Sequence, residues 1–362
     1  MPDKVKIMVV DDTITYRQIL TKVVQSFDNA ELVATASSGK TALMKIASVK
    51  PDLIFLDVMM PEMDGIETLK FIKRDHPKIQ VVMISAFDMA NAKATLQSLE
   101  NGALDFIAKP VAQNMTEGIT QLQTNLKPLI ELVANQLGLK GQGAAAKAPP
   151  TAPPRAAAAP IAKSDINNIK GKVDFALIGI STGGPNALHK LFDSIKTPID
   201  CPVLIVQHMP PMFTQSLAER LDSISCMTIK EASDGMIPEK GHVYIAPGGM
   251  HMVLRKKGAS HELGVVDSPP VNHCKPSVDV LFRSVAGLRD TNSLTLVLTG
   301  MGRDGTEGVR ALKRQGTYCI IQDEASCVVW GMPGSVHEAQ AYDEMLPLPQ
   351  IGKRILEITQ KG

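Results

Sequence analysis

The sequence predicts an α/β protein built from two doubly wound, mostly parallel sheets. Three observations lead to that fold class. Short apolar runs alternate with amphipathic stretches in both halves of the 362 residues, as strand–helix units do. One Ala/Pro-rich segment interrupts the alternation. Polar residues with chemical potential stand at the carboxyl ends of the apolar runs, where such sheets hold their ligands.

In chain order, KIMVV (6–10), ELVATA (31–36), DLIFLD (52–57), QVVMIS (80–85) and DFIAK (105–109) read as buried strands. Helical periodicity fills the gaps, as at Ile14, Leu20, Val23, Val24 and Phe27. The segment GQGAAAKAPPTAPPRAAAAPIA (141–162) follows. Its alanines favour a helix, but the scattered prolines break one and leave an extended, semi-rigid spacer. Beyond it, FALIGIS (175–181), CPVLIVQH (201–208), HVYIAPG (242–248), LTLVLTG (294–300) and YCIIQ (318–322) repeat the strand habit. HMVLRKKGASHELGVVD (251–267) reads as a hairpin turning near Gly258. The expected division is a first domain over 1–125, a helix end and linker over 126–170, and a second domain over 171–362. No repeat of ~20 to 50 residues recurs, which excludes a solenoid.

Bulk properties exclude several classes. Composition, with 44% hydrophobic and 21% charged residues, is that of a globular chain, and a net charge of +1 gives no electrostatic case for nucleic acid or an anionic membrane. No apolar run approaches the ~18 residues of a membrane span. The opening MPDKVKIMVVDD meets an acid pair after a short apolar run, unlike a signal peptide. Cysteines 201, 226, 274, 319 and 327 are odd in number and form no C-x-x-C, as expected of reduced thiols in the cytosol.

In the first half, Asp11 and Asp12 follow the first strand and Asp57 ends the third. Three carboxylates at one sheet edge repel unless a cation joins them, and hard oxygen ligands suit Mg²⁺. Ser85 and Lys109, the latter followed by Pro110, end the fourth and fifth strands, where a hydroxyl and an ammonium suit phosphoryl oxygens. This half, from about residue 4 to 122, resembles the receiver domain of bacterial response regulators, a flavodoxin-like fold. The resemblance rests on VVDD (9–12), LDVMMPEMDG (56–65), Ser85 before Ala86, and KP (109–110). It implies that Asp57 accepts phosphate from a histidine kinase while Asp11, Asp12 and Asp57 hold Mg²⁺. Ser85, Lys109 and Phe106 would take the switch positions.

In the second half, Gly179-Ile180-Ser181-Thr182-Gly183 satisfies the G-x-S-x-G nucleophile-elbow pattern between a strand and a helix. Taken alone, Ser181 would be an ordinary helix N-cap. As a nucleophile it needs a base and oxyanion donors. His208 ends a strand at the same sheet edge. His242, His251, His261 and His273 read as solvated imidazoles, and His337 is the serious rival. The order Ser181, Asp304, His337 would match an α/β-hydrolase; the order Ser181, His208, Asp304 puts all three at strand ends and is preferred.

The loop Gly300-Met301-Gly302-Arg303-Asp304-Gly305 also matches the G-x-G-x-x-G dinucleotide fingerprint. It comes late in its domain, however, and Asp304 would face a pyrophosphate, an unfavourable pairing. Asp304 instead orients His208, leaving the Met301 amide for an oxyanion. Cys274, Cys319, Cys327 and Trp330 read as core or cleft-lining residues, none at a strand end with a base beside it.

GISTGGP, VQHMPPMFT, HVYIAPGGMHM, PSVDVLFRSVA, LTGMGRDGTEG and QDEASCVVWGMPGSV together resemble the protein-glutamate methylesterases of bacterial chemotaxis over about 172–360. The resemblance implies Ser181 as nucleophile, His208 as base, Asp304 as its orienting acid and Met301 as an oxyanion donor. Implied substrates are glutamate methyl esters and certain glutamines on chemoreceptors, with no cofactor for hydrolysis and Mg²⁺ only for receiver phosphorylation. It implies a cytoplasmic monomer, neither bound to nucleic acid nor inserted in a membrane. In this family's manner, the unphosphorylated receiver would restrict the cleft. Rival readings are a nucleotide-binding regulator and a phospho-switched scaffold without catalysis.

Overall fold

The computed structural model describes residues 4–86, 88–110, 115–139, 163–288 and 290–360. The Ala/Pro-rich spacer at 141–162 lies outside the described residues. The chain divides into two compact units, Met1–Ala158 and Ala159–Gly362.

The first unit carries strands β1 (Val5–Val10), β2 (Ala30–Ala36), β3 (Leu53–Asp57), β4 (Gln80–Ser85) and β5 (Asp105–Ala108). All neighbours are parallel, in the order β2-β1-β3-β4-β5. The connecting helices are α1 (Ile14–Gln25), α2 (Gly39–Val49), α3 (Gly65–Asp75), α4 (Met89–Glu100) and α5 (Met115–Gln136). Every residue of β3 is buried, as expected of a strand covered on both faces. Helix α1 buries Leu20, Val23 and Val24 as its periodicity predicts, but Ile14 is 64% exposed. As the first residue of α1, Ile14 stands at the strand-end face, beyond the layer the helix covers. Helix α5 runs through residue 125 to Gln136, so the helix end expected beyond residue 125 falls at Gln136.

The second unit holds β6 (Phe175–Ile180), β7 (Val203–Gln207), β8 (Thr228–Glu231) and β9 (His242–Ile245), the antiparallel hairpin β10 (His251–Lys257) and β11 (Ser260–Val266), then β12 (Ser293–Val297), β13 (Tyr318–Gln322) and β14 (Glu344–Leu346). Its helices are α6 (Gly184–Ser194), α7 (Phe213–Ile224), α8 (Val278–Ala286), α9 (Thr306–Lys313), α10 (Met332–Glu338) and α11 (Leu348–Thr359). Seven parallel strands lie in the order β14-β13-β12-β6-β7-β9-β8. The strands at the two edges, β8 and β14, escape sequence reading because they are short and partly exposed, without an apolar run.

The hairpin packs on α8. Met252, Leu254 and Leu263 share one buried cluster with Val278, Leu281, Phe282 and Val285, and each such side chain contributes about 1.5–3 kcal/mol. Residues 163–170, expected in the linker, belong to this unit. Ser164 N donates to Asp343 Oδ1 at 2.6 Å and Ser164 Oγ to Thr317 O at 2.9 Å. Lys313 Nζ, buried against Asp343, donates to Ser164 Oγ at 2.8 Å. Composition cannot reveal such an anchor, because it depends on partners far along the chain.

Candidate active site

Both sheets reverse their winding at one point, and both carry their polar residues there. In the first unit the reversal lies between β1 and β3. Val10 pairs with Leu56, so Asp11 and Asp57 extend adjacent strands. Lys109 Nζ lies 2.9 Å from Asp11 Oδ2 and 3.0 Å from Asp57 Oδ2. Beyond this ion pair the buried Asp11 Oδ2 has no hydrogen-bond partner among the described residues. Oxygens of Asp11, Asp12 and Asp57 lie within 4.8 Å of one another. Burial, together with the neighbouring Asp11, pushes the Asp57 carboxyl up to about 6 although Lys109 opposes the rise. An under-partnered buried oxygen among clustered carboxylates fits a hard divalent cation such as Mg²⁺.

Of the residues expected at switch positions, Phe106 is half-buried in β5. The Ser85 hydroxyl contacts Ala86 O at 3.3 Å and accepts from the buried Thr95 hydroxyl at 2.7 Å. Thr95 lies inside α4 and carries no sequence signal of its own.

In the second unit the reversal lies between β6 and β12. Ser181 follows β6 on a tight turn whose backbone is braced from both neighbouring strands. Its N–H donates to Thr299 O at 3.0 Å, while its carbonyl accepts from Gln207 Nε2 at 2.9 Å. Thr299 Oγ1 donates to Thr182 O at 3.0 Å. Gly183 caps α6 with φ of 74°, and a Cβ there would strike Val328 at 2.5 Å. Only glycine meets both demands at low cost.

His208 is brought beside Ser181 by register. Ile180 pairs with Gln207, and His208 N donates to Ile180 O at 3.2 Å. Among the described residues, no hydrogen bond joins the Ser181 hydroxyl to the imidazole. Such contacts often tighten only with substrate bound. His208 Nε2 lies 2.9 Å from Asp304 Oδ2. Asp304 also accepts from Asn272 Nδ2 (2.8 Å), Ser277 Oγ (2.8 Å), Val278 N (2.6 Å) and Asp279 N (3.2 Å). The buried carboxylate thus sits on the N-terminus of α8, where backbone amides and the helix dipole favour an anion. Burial alone would raise its pKa, but hydrogen bonds from His208, Asn272 and Ser277 hold it below the usual carboxylate value. Burial would likewise lower His208, yet Asp304, with Cys274 next in weight, raises the imidazole to about 9.

Gly305, with φ of 96°, turns the β12–α9 loop into α9, which lets Asp304 point back at α8. Met301 is half-buried in the same loop. Among the described residues, neither its amide nor that of Thr182 donates a hydrogen bond. Thr182 was missed in the sequence, although an elbow pattern draws attention to the amide that follows the nucleophile. Asn272, Ser277, Gln207 and Thr299 were also missed, because their roles arise only in contact.

Other histidines separate clearly. His337 is exposed, with Nδ1 3.1 Å from the Tyr342 hydroxyl, away from the His208–Asp304 pair. His251 is not solvated as expected. It is fully buried, its Nδ1 accepting from Ser277 N at 3.1 Å and its Nε2 facing Pro269 O at 3.2 Å. It therefore positions the serine that donates to Asp304. Cys274, in a loop and not at a strand end, nevertheless has a base beside it, its Sγ 3.6 Å from His208 Nδ1. An isolated antiparallel bridge between Val271 and Cys274 closes the loop that carries the thiol.

Comparison with known proteins agrees with both halves. The response regulator receiver domain matches residues 7–120, and the CheB methylesterase family matches 176–355. Protein-glutamate methylesterase/protein-glutamine glutaminase of Trichodesmium erythraeum is 40% identical over 354 residues, covering 98% of each chain. The protein of that name from Salmonella typhimurium is 38% identical over 361 residues, covering 99% of this chain and 98% of the other. Among solved structures, the Thermotoga maritima CheB methylesterase catalytic domain is 39% identical with a TM-score of 0.50, covering 51% of this chain and 98% of that domain. With its seven-stranded hydrolytic unit following a receiver unit, the chain belongs to the protein-glutamate methylesterase/protein-glutamine glutaminase family.

Proposed function

We propose that this protein is a phosphorylation-activated serine hydrolase that removes methyl esters from chemoreceptor glutamates and deamidates specific receptor glutamines. The observation that carries the reading is the His208–Asp304 pair set beside Ser181 at the winding reversal of the sheet. With Nε2–H donating to Asp304, the neutral ring keeps its lone pair on Nδ1, which faces Cys274 in the free protein and would take the Ser181 proton once substrate is bound. Ser181 Oγ attacks the γ-carbonyl as its proton passes to Nδ1. Amides of Met301 and Thr182 receive the developing oxyanion. The imidazolium returns the proton to methoxide, which leaves as methanol, or to the leaving amine, which departs as ammonia. Water then repeats the attack on the acyl-enzyme and releases glutamate. Asp304 remains ionised and stabilises the imidazolium.

Asp57 is the phosphoryl acceptor, with a chemotaxis histidine kinase as donor. Asp11, Asp12 and Asp57 would hold Mg²⁺, which neutralises charge on the incoming phosphoryl group when bound. Lys109 pairs with that group's oxygens. Phosphorylation of Asp57 raises the hydrolytic activity of the second unit. Five free thiols support a reducing, cytoplasmic location, and among the described residues no helix is long and apolar enough to cross a membrane. Methanol release from methylated receptor membranes tests the reading. Membranes that keep their methyl groups with the phosphorylated enzyme would refute it.

A further inference from the structure

The ring edge of His208 opposite Asp304 has an unusual neighbour for a serine hydrolase. Among the described residues, the hydrogen-bonding partner of Nδ1 is Sγ of Cys274, at 3.6 Å. We propose that Cys274 and His208 form an inhibitory site for a soft divalent cation, of which Zn²⁺ fits best. The inhibitory effect rests on the reading of His208 as the base of Ser181; the metal site does not.

Distance supports this choice. A tetrahedral Zn²⁺ with a sulfur at about 2.3 Å and a nitrogen at about 2.05 Å holds those two atoms about 3.5 Å apart. The observed 3.6 Å needs almost no movement. Direction supports it as well. Because Nε2 is held by Asp304, the lone pair of the neutral ring lies on Nδ1, toward the thiol. A carboxylate fixing the distal nitrogen of a metal-binding imidazole is a recurrent arrangement around zinc. Asp304 is itself fixed by Asn272, Ser277 and two α8 amides, so the ring cannot readily turn away.

Ligand chemistry selects the metal. Thiolate and imidazole favour Zn²⁺ or Cd²⁺ over Mg²⁺, whereas the Asp11, Asp12 and Asp57 cluster offers only hard oxygen. Binding replaces the thiol proton: the S–H bond breaks, an S–metal bond forms and the proton goes to solvent. Water or the substrate's oxygen would fill the remaining positions. Cys274 is half-buried and so is not sealed in the core. Among the described residues the other thiols offer no comparable pair, since Cys201 and Cys319 are buried, Cys226 faces the Ile195 carbonyl and Cys327 faces Thr299. The metal takes the lone pair that accepts the Ser181 proton, so occupancy and catalysis exclude each other.

The test uses the full chain in excess Mg²⁺, which occupies the receiver carboxylates. Co²⁺ is titrated as a spectroscopic stand-in, and Zn²⁺ is titrated during methyl-ester hydrolysis. Wild type should develop a thiolate-to-cobalt charge-transfer band that Cys226→Ala keeps and Cys274→Ala loses. Zn²⁺ should slow hydrolysis reversibly, with a chelator restoring the rate. Half-inhibition of Cys274→Ala should need at least tenfold more Zn²⁺, with Cys274→Ser as a second, size-matched variant. An equal band, or an equal inhibitory concentration, in wild type and both Cys274 variants would overturn the site. A Cys274-dependent band without inhibition would support the metal site and instead count against His208 as the base.

Discussion

Asp304 Oδ2 accepts from His208 Nε2 at 2.9 Å and from Val278 N at 2.6 Å, so one carboxylate both orients the His208 ring and closes the N-terminus of α8. Replacing Asp304 by Asn exchanges an acceptor-only group for one that must present N–H to donors. Activity should fall about 10³–10⁴-fold, as when the base loses its tautomer. The melting temperature should fall too, since the helix loses an anion at its start. Calorimetry beside kinetics separates the two effects. An unchanged melting temperature would show that the helix does not depend on this carboxylate.

Ser181→Ala should cost at least ~10³-fold in hydrolysis, and His208→Ala a similar amount, with the double variant little worse because the pair acts as a unit. His337→Ala, at an exposed site bonded to Tyr342, should keep most turnover. Additive losses in the Ser181/His208 double variant would deny that the two act together.

The pH profile follows from the His208 shift. Burial opposes the charged ring, but Asp304 and Cys274 prevail and raise it to about 9. The base works unprotonated, so kcat/KM, measured with a chelator present, should climb as pH rises toward about 9. Cys274→Ala removes one raising contact and should move this limb to lower pH. The sign for stability is opposite: a raised folded value stabilises below the unfolded value of about 6.5 and is lost as pH rises through about 9. A wild-type limb at about 6.5 would contradict the coupling.

A small-molecule phosphodonor should label the chain only with Mg²⁺ present, and Asp57→Asn should abolish the label. Lys109→Ala removes the ammonium 3.0 Å from Asp57 and should uncouple labelling from activation. Label persisting after complete chelation would remove the metal from the acceptor chemistry.

A fragment beginning at Lys163 retains Ser164, which is bonded to Asp343 and Thr317, and should fold. It should hydrolyse faster than the unphosphorylated full chain and ignore phosphodonor. Equal rates would mean that phosphorylation activates positively and does not relieve a restriction.

Strand-end logic made Asp11, Asp57, Ser181 and His208 legible as candidates, because parallel sheets collect chemistry at one edge and buried strands announce themselves as apolar runs. Edge strands β8 and β14 stayed hidden, since a strand covered on fewer sides needs no such run. By itself, then, the sequence determined two α/β units, their strand-end acids and the serine turn, all features of local pattern. Tertiary structure alone decided that Asn272, Ser277 and the α8 amides hold Asp304, that His251 is buried beneath Ser277, and that Cys274 faces His208. Those relationships join residues from separate loops, and only register and packing bring such loops within hydrogen-bonding reach.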